Sequence, residues 1–122
     1  MSHTRKVNLV PENVELALYA GDGANLRITL RDSMAKAVPI DGAVKAQVRL
    51  HRDDLTALED FSVDLSEGPQ GIVRLALTGI QTNALLNGED FSGFWDVQWT
   101  GVGDEPVTLV QGKVTCTRDV TR

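Results

Sequence analysis

The chain has 122 residues, 42% hydrophobic and 24% charged, with a formal net charge of −5. That length suits one domain with a proper core, and that composition is globular rather than disordered. The acidic balance argues against a nucleic-acid partner, and no apolar run approaches the roughly 18–20 residues of a membrane helix.

The start, "MSHTRKVNLVPENVE", carries basic residues with no apolar segment behind them, so it does not read as a signal peptide. Cys116 is the single cysteine and has no partner for an internal disulfide, which points to synthesis in a reducing cytoplasm. Residues 1–18 read as an N-terminal arm or a first strand, and residues 19–122 as the folded domain. Within the first segment, "VELALY" predicts a strand with Val14, Leu16 and Leu18 inward.

Strict alternation then recurs along the chain. "ANLRITLRD" sets Leu26, Ile28 and Leu30 against Arg27, Thr29 and Arg31, the period of a half-buried strand. "AVKAQVRLH" turns Val44, Ala46, Val48 and Leu50 inward and Lys45, Gln47, Arg49 and His51 outward. "FSVDL" and "IVRLALT" alternate likewise, the second through Val73, Leu75 and Leu77. "TGIQTNALLNG" breaks the pattern: Thr78 and Gln81 have capping-box spacing, Ile80, Ala84 and Leu85 recur at helical spacing, and Asn87-Gly88 reads as a stop. One short helix is therefore predicted near Thr78–Leu86. "GFWDVQWTG" is a strand with Trp95, Val97 and Trp99 on one side. "PVTLVQGKVTC" is the last, with Val110, Val114 and Cys116 on one parity and Gly112 marking a bulge or a close contact.

Turn chemistry separates these runs. "GDG" at Gly21–Gly23 and "PIDG" at Pro39–Gly42 tolerate positive φ, "SEGPQG" is a loop, and "GVGDEP" closes a hairpin between the last two strands. The sum is an all-β protein: an antiparallel β-sandwich of about seven strands with one short helix. Its expected core is Leu26, Ile28, Leu30, Val48, Leu75, Leu77, Trp95, Val97, Trp99 and Val114.

Three of six aromatic residues, Phe94, Trp95 and Trp99, fall within six positions, which raises the choice between a ligand platform and a core. Exposing the two indoles would bury Asp96 on the other face, at a cost of several kcal/mol for an unpaired charge. Burying a tryptophan gains roughly 2–3 kcal/mol. The indoles are thus assigned to the interior, and Phe94, of opposite parity, is the candidate for an exposed contact. The acid pairs in "RDD" (Arg52–Asp54) and "GED" (Gly88–Asp90) lack a third ligand for calcium and sit beside turns. His3 is terminal and His51 is on a polar face. No serine or cysteine has a readable histidine–acid set, and "GDGANL" lacks the lysine and following helix of a phosphate loop. The expectation is no enzyme, no cofactor and no metal.

The ordered runs "GDGANLRITLRD", "VPIDGAVKAQVRLHRDD", "GIVRLALTGIQTNALL", "GFWDVQWTG" and "PVTLVQGKVTC" resemble the N-terminal immunoglobulin-like module of siphophage baseplate upper proteins. Related modules occur as small stand-alone tail or head proteins of tailed phages. The resemblance runs from about Tyr19 to Cys116 and rests on Gly21, Asp22 and Asp32; Pro39, Asp41 and Gly42; Gly71 and Val73; Leu77, Thr78 and Thr82; and Gly93, Trp95, Val97 and Trp99. The turn reads Ile-Asp-Gly-Ala where the family usually has Asp-Leu-Thr-Gly-Ala. The resemblance implies an immunoglobulin-like sandwich and a bacteriophage structural protein, made in the host cytoplasm and located in the virion. With no receptor-binding arm after Arg122, the expected role is a minor tail or baseplate component, or alternatively a capsid decoration protein. Expected partners are other virion proteins and copies of the chain itself, met through Phe94 and through Arg5 and Lys6. The latter pair sits in an arm that orders on a neighbour, or in a frayed terminus. A reading from another class is a sandwich that binds host-surface glycan through Phe94 or Trp99.

Overall fold

The computed structural model describes residues 12–32, 34–86, 88–101 and 105–118. Their elements in chain order are β1 (Glu12–Asn13), β2 (Leu16–Tyr19), β3 (Ala24–Thr29), β4 (Ala43–Arg49), β5 (Glu59–Asp60), β6 (Ser62–Asp64), β7 (Ile72–Leu77), α1 (Gly79–Ala84), β8 (Phe91–Thr100) and β9 (Val107–Thr117). A single 3₁₀ turn, Gly68–Gln70, precedes β7. β1 and β2 are one run interrupted at Val14 and Glu15. β5 and β6 flank Phe61, where the chain passes from one sheet to the other. Counted as runs, the described strands number seven.

The larger sheet has the order β1–β9–β8–β4–β5, with β2 also on β9; the smaller is β3–β7–β6. Runs two, five and four thus share one sheet, while three, six and seven share the other. This is the immunoglobulin-like order, with the first run lying parallel along the last. Residues 12–18 therefore belong to a strand run of the sheet. Arg5 and Lys6 lie outside the described residues.

The alternation in the sequence becomes layers in the core. Val48, Trp95 and Gly112 lie side by side across β4, β8 and β9, and Ala46, Val97 and Val110 form the next layer. Val73, Leu75 and Leu77 close the core from the facing sheet, and Leu30, Val48, Val97 and Val114 are buried. Leu26 and Ile28 are only half-buried, because β3 is the edge of its sheet among the described residues. Leu109 and Val110 are both buried although adjacent. The ladder explains this: Val97 pairs with Val110 but Gln98 with Thr108, so Leu109 is an inserted residue that reverses the parity of β9. The bulge thus sits at Leu109, and Gly112 is the close contact: a Cβ there would collide with the carbonyl of Val14.

Two inward assignments, Leu50 and Val14, need correction, and so does the apolar face of the helix. Leu50 is 45% exposed, because β4 ends at Arg49 and the chain turns on an Asp54–His51 hydrogen-bond pair. Val14 is 36% exposed, because it sits in the break between β1 and β2. Ile80 is 84% exposed and Ala84 faces solvent; α1 instead turns Thr82 and Leu85 inward.

The reason lies in how α1 is tethered. Its capping box is formed as the spacing predicts, Thr78 Oγ1 accepting from the Gln81 N–H and Gln81 Oε1 from the Thr78 N–H. Asn87 lies outside the described residues, and the C-cap is Leu85. Thr82 then accepts a hydrogen bond from the Gly21 N–H at 3.1 Å, and its hydroxyl lies 3.0 Å from the Asp22 carbonyl. Thr82→Val keeps the shape but leaves both backbone groups without their partner. We expect a loss of about 1–3 kcal/mol by urea denaturation, mostly restored in Thr82→Ser.

Candidate partner-contact face

Both indoles are inside, and both are fixed by backbone carbonyls from loops. Trp95 is 4% exposed, and its Nε1–H donates to the Val14 carbonyl at 2.9 Å. That carbonyl is in place because Gly112 lets the β1–β2 break cross close above β9. Trp99 is 7% exposed and donates to the Asp41 carbonyl at 2.6 Å. The turn that presents Asp41 needs Gly42, whose φ is +81° and whose Cβ would strike the Thr100 carbonyl. Phe61 packs against Trp95 with ring centroids 5.9 Å apart. Neither indole offers a stacking face to solvent.

Phe94 is an aromatic residue on the outer face of the larger sheet, as is Tyr19 at the β2 edge, which is 55% exposed. Phe94 lies between Arg49 on β4 and Lys113 on β9, and is half-buried rather than open. The cover comes from Arg52, whose guanidinium lies 5.1 Å from the ring centroid. One step along the sheet, Arg49 reaches both carboxylate oxygens of Asp96 at 3.3 Å and donates from Nε to the Asp54 carbonyl at 3.0 Å. A further Arg49 nitrogen meets Gln47, whose amide donates to Asp60 at 2.7 Å. A chain of charge and amide groups therefore runs from β8 across β4 to β5. The hollow beside Phe94 and Asp96 measures only about 20 Å³, about the room of one water. The face is suited to lying flat against a protein surface, not to enclosing a small molecule.

Arg49, Asp96 and Gln47 are the members that the sequence pattern did not single out. Their outward parity was legible. Their meeting depends on the register that sets Gln47 opposite Asp96, which alternation alone does not fix.

One acid of each loop pair braces the backbone. Asp54 accepts from the His51 N–H and Asp90 from the Arg118 N–H, at 3.0 and 3.2 Å. Among the described residues no three histidine, cysteine or acidic side chains gather as a metal would require, and no helix is long and apolar enough to cross a membrane. His3 lies outside the described residues.

Cys116 is wholly buried, its thiol 3.3 Å from the Thr82 carbonyl. Burial, aided by nearby Asp90, raises its pKa above the ordinary 9.0. The unfolded chain therefore releases this proton first, and stability falls as pH rises above 9.0. The native thiol is expected to resist a disulfide reagent at pH 8 and to react with one equivalent in urea, read by absorbance.

No protein-family model matches the chain, and no curated protein does. Among solved structures, the chain is similar to the crystal structure of the S-layer protein SbsC domains 4 and 5, with a TM-score of 0.48 and 16% identity. The match covers 90% of this chain and 44% of that one, so the chain spans less than half the length of that structure.

Proposed function

We propose that this chain is a structural protein of a tailed-phage virion, a minor tail or baseplate component that acts through protein–protein contacts. The observation that carries the reading is the meeting of the family-like motifs in space. Gly21 and Asp22 lie about 60 positions from Thr82, yet the three share one hydrogen-bonded knot that ties α1 to the turn before β3. Motif residues that build one joint of the fold are a more specific likeness than turn residues scattered along a strand order. The interior indoles and the flat face around Phe94 suit the same role, since neither supplies a concave site. A glycan-binding reading looks to Phe94 or Trp99; Trp99 is buried and donates to the Asp41 carbonyl, and Arg52 lies over the ring of Phe94.

Gold-labelled antibody on purified particles, from the phage whose genome encodes the chain, tests the proposal. Label at the tail tip is the expected result. Label spread over the capsid would favour the decoration role instead. Particles free of label, with the protein left in the soluble lysate, would overturn the virion assignment.

A further inference from the structure

One edge of β3 has no strand beside it among the described residues. The register of β3 with β7 continues to Leu30, whose N–H donates to the Gly71 carbonyl at 2.7 Å. Backbone groups alternate sides along an antiparallel strand, so those of Ala24, Leu26 and Ile28 turn to β7 as well. The N–H and C=O groups of Asn25, Arg27 and Thr29 turn the other way, to the open edge. Such an edge is a template for one more extended segment.

The groove beside that edge lacks a cover. It lies between the sheets, where β1 and β2 face β3, and its volume is about 190 Å³. Leu16, Leu26, Ile28 and Val110 line it, and Leu26 and Ile28 are left half-buried. Edge and groove together specify their occupant: an extended segment with apolar side chains at alternate positions.

The chain carries such a segment next to the groove. Residues 1–11 precede Glu12, which is itself part of the groove lining. Among them Val7 and Leu9 alternate with Lys6 and Asn8. We propose that residues 5–10 lie extended along the open edge of β3 in the same molecule, with Val7 and Leu9 in the groove. The length fits: at about 3.3 Å per residue six residues span about 20 Å, as does the six-residue β3. The volume fits too. An apolar cavity of about 150 Å³ holds the six carbons of benzene, and the side chains of Val7 and Leu9 bring seven. Pro11 has no N–H to continue a ladder, so it suits the point where the chain passes from one sheet to the other. The tether keeps the segment at millimolar effective concentration, which favours it over the same segment of another copy. The docked segment withdraws the β3 edge from other chains and leaves partner contacts to the outer faces and loops. The proposal stands independently of the virion assignment: amide exchange reads the one, labelled particles the other.

Hydrogen exchange on the full chain, followed amide by amide by NMR, tests the docking. The amides of Asn25, Arg27 and Thr29 should exchange at least about tenfold more slowly than in the urea-unfolded chain. Leu9→Asp should remove that protection, while Leu26 and Ile28, bonded to β7, stay protected. Asn8→Asp, on the outward parity, should leave all five amides as they are. If Leu9→Asp also exposes Leu26 and Ile28, the milder Val7→Thr takes its place and should speed the three edge amides alone. Edge amides as fast as in the unfolded chain would overturn the proposal. So would protection that neither Leu9→Asp nor Val7→Thr changes, since something else would then cover the edge. Protection that fades on dilution would overturn it as well, because the occupant would then come from a second copy.

Discussion

Trp95→Ala is expected to lower stability by about 3–5 kcal/mol, the usual cost of deleting a large buried aromatic side chain. Trp95 lies between Val48 and Gly112 in the central layer, touches Phe61 from the strand crossing, and ties its indole nitrogen to the edge run at Val14. Removing it empties the layer and unties that edge together. A domain of this size holds roughly 5–15 kcal/mol in all, so the variant should sit near the limit of folding. At roughly 3–5 °C per kcal/mol, the melting temperature should drop by about 10–20 °C. Trp95→Phe keeps an aromatic ring against Phe61 but loses the N–H donor and part of the ring volume, so its cost should be smaller, about 2–3 kcal/mol. Urea denaturation followed by circular dichroism gives both values.

Gly112→Ala should cost about 2–4 kcal/mol, although it adds only one methyl group. The new Cβ would collide with the Val14 carbonyl, the acceptor for Trp95. Relief requires the β1–β2 break to lift away from β9. That movement also strains the bond from the Val14 N–H to the Gln111 carbonyl. Hydrogen exchange should locate the damage: amides of Leu16–Tyr19 should exchange faster, while β4 stays as protected as the lowered global stability allows. Because Gly112→Ala and Trp95→Phe disrupt one shared hydrogen bond, the double variant should lose less than the sum of the two.

The sequence carried the strands well where one face is buried, because a period of two is then forced by the pleat. Val73, Leu75 and Leu77 are the plain case. It carried the start of α1 through Thr78 and Gln81, since a capping box is local chemistry. It misjudged the face of α1 because a helix of six residues is too short for periodicity to decide, and the tether of Thr82 to the turn at Gly21 turns Thr82 inward and Ile80 outward. The inserted Leu109 was invisible for a similar reason: strict alternation has no place for an extra residue, and only the partner strand reveals it. In the candidate face, the outward position of Phe94 was legible. The Arg52 cover and the Arg49–Asp96 pair were not, because both depend on which residues the register brings opposite each other.

Fluorescence quenching by acrylamide measures the solvent access of Trp95 and Trp99 most directly. With both indoles held between the sheets, emission should be blue-shifted, and the quenching slope should be several-fold below that of the urea-unfolded chain. A native slope equal to the unfolded one would mean that both rings are in water, and the buried stripe on which the structural role depends would be contradicted.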